Sequence, residues 1–260
     1  MSELRGNVAL VTGAGSGIGR AIALAFARQG ARLGICDINE AGAAATVSQI
    51  EEIGAEAIAV SMDVADEAAV ERGTEAVAAR FGRIDTMVSN AGIQIVHPIE
   101  EFPYAEFRRM IDIHLGGAFL LTKACVRHMY PQRSGSLIYM GSVHSHRASP
   151  LKSAYVAAKH GILGLSRTMA IEGAKHNVRS NVICPGFVRT PLVDKQIPEQ
   201  AEKLGISEAD VIAKVMLKDT VDAEFTTPED VADTAVFLAG FRSNAFTGQS
   251  ITVSHGWHMG

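Results

Sequence analysis

Short, nearly continuous apolar runs alternate along this chain with longer stretches of helical periodicity. The runs are VALVTG (8–13), RLGICD (32–37), AEAIAVSMD (55–63), IDTMVSN (84–90), SLIYMGS (136–142), RSNVICPG (179–186) and QSITVS (249–254). A strand with one wet face would alternate polar and apolar positions. These runs do not, so they predict strands covered on both faces, as in a parallel sheet. Between them, 17–29, 41–53, 66–81, 101–130, 153–176 and 228–239 predict helices. Seven strands with helical crossovers predict an α/β chain. Its expected form is a single-domain, doubly wound (Rossmann) seven-stranded parallel sheet over 1–260.

One connection breaks the rhythm. Residues 187–226 separate the sixth strand from its next helix, where a loop of ~2–6 residues is usual. PLVDKQIPEQ (191–200) and EADVIAKVMLKD (208–219) predict short helices inside it. An insertion at the carboxyl end of a strand suits a lid over a ligand. A subunit-contact arm is the other reading.

Composition narrows the classes. The chain has 260 residues, 47% of them hydrophobic and 20% charged, with net charge −4. That balance buries a sizeable core, and no basic patch invites nucleic acid. No run reaches the ~20 apolar residues that span a bilayer. The opening MSELRGNVALVTG runs straight into a strand, without a signal peptide pattern. Cys36, Cys125 and Cys184 are scattered, as expected of reduced thiols in a cytoplasmic protein.

TGAGSGIG (12–19) joins the first strand to the first helix, with Gly13, Gly17 and Gly19 spaced G-x-x-x-G-x-G around Ser16 and Ile18. Glycines allow a tight turn and close backbone approach, and the helix N-terminus offers N–H groups to a pyrophosphate. The strand before and the helix after make this a dinucleotide signal rather than an isolated turn. Asp37 ends the second strand, where an acid accepts hydrogen bonds from the adenosine ribose. A carboxylate there repels a 2′-phosphate, and Ala14 and Ser16 supply no compensating cation, so NAD is expected rather than NADP. Capping of the following helix is the plainer role for Asp37, with Asn39 competing for it. Asp63 and Val64 end the third strand, facing adenine or capping a helix near Asp66. Asn90, Ala91 and Gly92 follow the fourth strand, against the cofactor or as a simple turn.

KSAYVAAKHG (152–161) places Tyr155 and Lys159 four apart, on one helix face. A phenol of pKa ~10 is a poor base at neutral pH. An ammonium ~4 Å away contributes on the order of 4 kcal/mol at an effective dielectric of ~20, enough to bring the phenol toward ~7. Such a group takes a proton from an alcohol or returns it to a carbonyl. By itself the pair reads as a solvated ion-bearing face. Ser142, ending the fifth strand, adds a hydroxyl to hold the substrate oxygen.

Taken with TGAGSGIG, NAG, Ser142, YVAAK (155–159) and PGFVRTP (185–191), the chain resembles the short-chain dehydrogenase/reductase family over essentially its whole length. The resemblance implies hydride transfer with a nicotinamide cofactor. It implies Tyr155 as acid/base, Ser142 as substrate orienter and Lys159 on the nicotinamide ribose. Pro185, Gly186, Val188 and Thr190 would lie along the nicotinamide, Thr190 on its carboxamide. Homotetramers built through the fourth and fifth helices are implied as well. One position departs: IDIHLGG puts His114 where the family carries an asparagine whose carbonyl holds a relay water. His114 is either a space-filling ring or a titrating member of the relay.

Within the family the chain is similar to the branch acting on D-3-hydroxybutyrate. The likeness lies in NAGIQ (90–94), SVHS (142–145), KSAYVAAKHG, ICPGFVRTPLVDKQI (183–197) and Gly256-Trp257. It implies a carboxylate held by Gln94, His144, Lys152 and Gln196, beside an apolar wall at Trp257. The chemistry agrees: a lysine, an imidazolium and two amides at strand ends and in the lid suit a small anion. SVHS and SHGW stand where that branch has SAHG and DGGW. The tail adds His255 and His258, read as a loose metal pair or as solvated side chains. No catalytic metal is expected. The predicted activity is NAD-dependent, reversible oxidation of a small 3-hydroxy acid, D-3-hydroxybutyrate to acetoacetate in the first place. A dehydrogenase of a neutral polyol or cyclic alcohol, and a non-catalytic NAD-binding sensor, are the alternatives.

Overall fold

The computed structural model describes residues 4–260. Seven strands form one sheet in the order β3-β2-β1-β4-β5-β6-β7. They are β1 Val8–Thr12, β2 Arg32–Asp37, β3 Ala57–Ser61, β4 Thr86–Ser89, β5 Gly135–Met140, β6 Val178–Pro185 and β7 Ser250–Val253. Every neighbouring pair is parallel. The uninterrupted apolar runs are thus explained: β1 and β6 are buried along their whole length. The order reverses between β1 and β4, which opens a crevice at their carboxyl ends.

Helices cover both faces. On one side α1 (Gly17–Arg28) and α2 (Glu40–Glu52) bury Ile22, Phe26 and Ile50 over β1 and β2, and α9 (Pro228–Gly240) buries Val231 and Leu238 over β5 and β6. On the other, α3 (Glu67–Phe81), α5 (Gly117–Gln132) and α6 (Ser153–Ala174) bury Val77, Leu121, Met129 and Ile162 against Leu10, Met87 and Tyr139. No helix among the described residues is long and apolar enough to cross a membrane. The three cysteines are buried and free.

The predicted helix over 101–130 is broken. A 3-10 turn (Ile99–Glu101) precedes α4 (Tyr104–Ile111), and a wide π turn (Asp112–Gly116) joins α4 to α5. The extra residue of a π turn re-aims a side chain. Here it carries His114, whose ring is buried and bonded to the Ile93 carbonyl.

The 187–226 insertion has its own small core. It comprises α7 (Pro191–Leu204), the one-turn α8 (Glu208–Asp210) and a second π turn (Val211–Met216). Val193, Ile197, Val211, Met216 and Leu217 pack together there. The Lys203 ammonium donates to the Val96 carbonyl, tying the insertion across the crevice mouth to the loop after β4.

Candidate active site

Gly13 sits at φ +62°, and a side chain on it would strike Ala91. A Cβ on Gly19 would lie 2.3 Å from the Gly13 carbonyl oxygen. Glycine at these two positions lets the turn, the helix and the β4 end close on one another. Asp37 does not cap α2; Asn39 does, accepting from Gly42 N–H at 3.1 Å. Instead the Asp37 carboxylate accepts from Gly15 N–H and Asn39 N–H, both at 2.8 Å, at the edge of the crevice. Gly15 thus joins the turn's working residues, a role the G-x-x-x-G-x-G spacing does not reveal. Asp66 caps α3, while Asp63 accepts from Ala65 N–H. The Asn90 amide donates to the Thr12 and Gly13 carbonyls and fastens β4 to the glycine turn.

These elements line one cleft of about 1010 Å³. Gly13, Ser16, Gly17, Ile18, Asp37, Asp63, Val64, Asn90, Ala91 and Gly92 border one half. Ser142, Tyr155, Lys159, Gln94, His144, Lys152, Gln196 and Trp257 border the other, with His114, Pro185, Gly186, Val188 and Thr190 also on its walls. The sequence-predicted residues therefore converge, apart from Gly19, which acts beneath the turn. The volume, the glycine cradle and the acid at the β2 end fit a dinucleotide with a small molecule beside it.

Tyr155 and Lys159 share a face of α6, with the Lys159 Nζ 5.3 Å from the Tyr155 ring centre. The expected acidification of the phenol is not what this arrangement produces. Burial pushes Tyr155 up to about 12, opposed by the neighbouring Ser142 hydroxyl. The ammonium donates instead to the Met140 carbonyl at 2.6 Å, and burial brings Lys159 down to about 8. Desolvation outweighs the Coulomb attraction that helical spacing suggests.

The turn after β5 sets Ser142. Its Oγ accepts from His144 N–H at 3.2 Å and lies 3.2 Å from His144 Nδ1. His144 Nε2 lies 2.9 Å from Ser149 Oγ. Both neutral tautomers of His144 satisfy these contacts; the one protonated on Nδ1 leaves the Ser142 hydroxyl free to donate. The expected imidazolium is corrected: burial, then the Lys152 charge, hold His144 down at about 3. Lys152 precedes α6 and is 7% exposed. Its Nζ lies 4.8 Å from the Phe187 ring centre, and among the described residues no acceptor is bonded to it. Burial lowers its pKa to about 8. Phe187 also stacks on Trp257, with centres 4.9 Å apart and planes 10° apart. Phe187 stands inside the PGFVRTP segment, but nothing in that segment marks its ring as the floor under Lys152.

His114 is not a titrating relay member. Burial, then Lys159, hold it down at about 3. Its Nε2 lies 2.7 Å from the Ile93 carbonyl oxygen, to which it donates, and its ring stands edge-on to Tyr155 at 5.3 Å. His114→Asn is therefore expected to leave kcat within about tenfold and the pH profile unchanged between about pH 5 and 8. A limb lost from that profile would restore the relay reading.

The tail histidines separate. His255 Nδ1 lies 2.7 Å from Asp222 Oδ2, and His258 stacks on His146 with centres 4.9 Å apart. Among the described residues no group of three or more His, Cys, Asp or Glu is placed to hold a metal.

A glycine turn at a topological switch, with a serine, a tyrosine and a lysine facing it across one cleft, defines a nucleotide-dependent oxidoreductase of the CH–OH group. The family model for short chain dehydrogenases matches residues 7–201, and the chain belongs to that family. Among curated relatives it is 41% identical over 252 residues to a D-beta-hydroxybutyrate dehydrogenase of Rhizobium meliloti (strain 1021), covering 96% of this chain and 97% of the relative. A D-beta-hydroxybutyrate dehydrogenase of Cupriavidus necator is 38% identical, with 98% of each chain covered. Among solved structures, levodione reductase superposes with a TM-score of 0.91 at 32% identity, covering 97% of this chain and 98% of that one.

Proposed function

We propose that the protein catalyses NAD-dependent, reversible oxidation of a small 3-hydroxy acid, D-3-hydroxybutyrate in the first place. The observation that carries this reading is Lys152, a buried lysine facing the cleft with no acceptor bonded to its ammonium among the described residues. A buried lone charge is costly, and an anion arriving beside it is bound strongly. Gln94 and Gln196 border the same region and add amide donors; Trp257 and Phe187 form the apolar side. The similarity to two D-beta-hydroxybutyrate dehydrogenases points the same way.

Ser142 holds the substrate oxygen and Tyr155 moves its proton. In reduction the phenol O–H, protonated at neutral pH, donates to the carbonyl oxygen. In oxidation the phenolate takes the hydroxyl proton as the C–H bond gives up a hydride. A nicotinamide held in the cleft would supply the hydride acceptor or donor. Lys159 holds the ribose and adds positive charge beneath Tyr155. Thr190, at the root of the insertion, stands beside Gly17 and suits a carboxamide contact.

NAD is favoured by Asp37, whose carboxylate closes the site to a 2′-phosphate. Arg20, in the first turn of α1 just after the glycine turn, is turned onto Thr46 Oγ1 and the Gly15 carbonyl. Asp37→Ser is expected to lower kcat/KM for NAD by about tenfold or more and to narrow its preference over NADP. An unchanged NAD/NADP ratio would remove the assignment. The working unit we infer is a cytoplasmic homotetramer joined through the α4–α5 stretch and α6, where Phe119 and Ile171 are exposed.

Steady-state assays with NAD and NADP across D- and L-3-hydroxy acids, polyols and cyclic alcohols test the function. The proposal expects turnover of D-3-hydroxybutyrate with NAD. Turnover confined to neutral alcohols would favour the second reading, which the fold likeness to levodione reductase supports.

A further inference from the structure

The residues after β7 belong to no helix or strand, yet they carry Trp257 into the cleft. Three sets of contacts hold them. Arg147 Nη1 donates to the Trp257 carbonyl oxygen at 2.9 Å. His146 stacks on His258, with planes 16° apart. His255 meets Asp222, and its carbonyl accepts from Val221 N–H at 2.9 Å. Two of these anchors come from the loop that follows Ser142 and His144. The third comes from the end of the 187–226 insertion. The tail is thus tied to the catalytic turn and to the insertion, and it presents its indole to both His144 (5.4 Å, edge-on) and Phe187.

We propose that Arg147 is a positioning residue for substrate specificity: its grip on the Trp257 carbonyl sets the indole as the pocket wall and so fixes how small a substrate the cleft holds tightly. Arg147 does not itself line the cleft. It is exposed, so removing its guanidinium leaves no buried polar group unpaired and the fold intact. The stack of His146 on His258 holds the next residue of the tail. The contacts of His255 and His258 are explained as anchors of this wall. The inference rests on the reading of the cleft as a hydroxy-acid site only where it names the substrate; the clamp itself can be measured without one.

Trp257 is the single tryptophan of the chain, so its fluorescence reports this wall directly. In Arg147→Ala the free enzyme is expected to show red-shifted emission and easier quenching by acrylamide. KM for D-3-hydroxybutyrate should rise about three- to tenfold, with kcat and the KM for cofactor within about twofold. Arg147→Lys, which keeps one donor, should recover most of both signals. His258→Ala should loosen the indole in the same direction without touching the guanidinium. Unchanged emission and quenching in both Arg147→Ala and His258→Ala would overturn the proposal, as would a fall in kcat with KM unaltered. A changed quenching signal in an enzyme that turns over no hydroxy acid would keep the clamp and reject the substrate reading.

Discussion

Tyr155→Phe is expected to lower kcat by about a thousandfold while cofactor affinity stays within about twofold. The substitution removes one oxygen from a half-buried ring and leaves its edge contacts with His114 and His144 in place. Cofactor titration by fluorescence, beside steady-state kinetics in both directions, reads the two quantities apart. A variant that keeps its rate would mean that another group moves the proton. One that fails to bind cofactor would mean the ring is structural. The direction of the phenol's shift adds a second expectation. Because burial holds it protonated well above neutrality, carbonyl reduction should need no activation at neutral pH, whereas alcohol oxidation should speed up as pH rises.

Lys152→Met should have the other large effect, and with opposite signs for binding and stability. Losing a charged hydrogen bond costs about 1.5–3 kcal/mol, so KM for the hydroxy acid should rise about 10- to 150-fold. Neutral alcohols should be indifferent to the change. In the parent, inhibition by a small carboxylate should weaken above a pH of about 8, where Lys152 loses its proton; in the variant that loss should be absent. Stability follows from the same shift. The folded-state pKa, about 8, lies below the ordinary lysine value of 10.5. The unfolded chain therefore binds more protons between those values, and stability rises with pH across that window. Below it the buried charge costs on the order of 3 kcal/mol. Methionine removes the charge and keeps the length, so urea denaturation near neutral pH should find the variant more stable, with a smaller gain on going alkaline. A variant less stable at neutral pH would mean that the ammonium has a partner in the folded protein. On the proposed function, the site keeps a destabilising group to meet an anion, a common cost of function.

The sheet was readable from the chain because two-sided burial leaves unbroken apolar runs. The glycine turn was readable because its backbone shape admits few other residues. The break at 112–116 was not. It serves a contact between His114 and Ile93, 21 positions apart, and local periodicity carries no trace of such a contact. Charge states were illegible for a similar reason. Spacing put an ammonium near Tyr155, and the resemblance grouped His144 with Lys152, but the outcome depends on how much water each has lost. Desolvation took Tyr155 up and His144 down. Arg147 escaped notice because its partner is a carbonyl 110 positions away.

A sheet whose strands all run one way has a second rim, where each strand begins. The connections there are short and turn sharply at Gly54, Gly82, Arg133 and Asn177, all with positive φ. Around Gly54 and Gly82 an added side chain would meet nothing within 4 Å. The chemistry stands at the far ends of the strands, roughly four residues or some 13 Å away. Extra chain grafted at these hairpin-like bends, or a new terminus opened there, would leave the reacting groups where they are. The molecule thus carries a working end and an attachment end, and tethers or fusion partners belong on the latter.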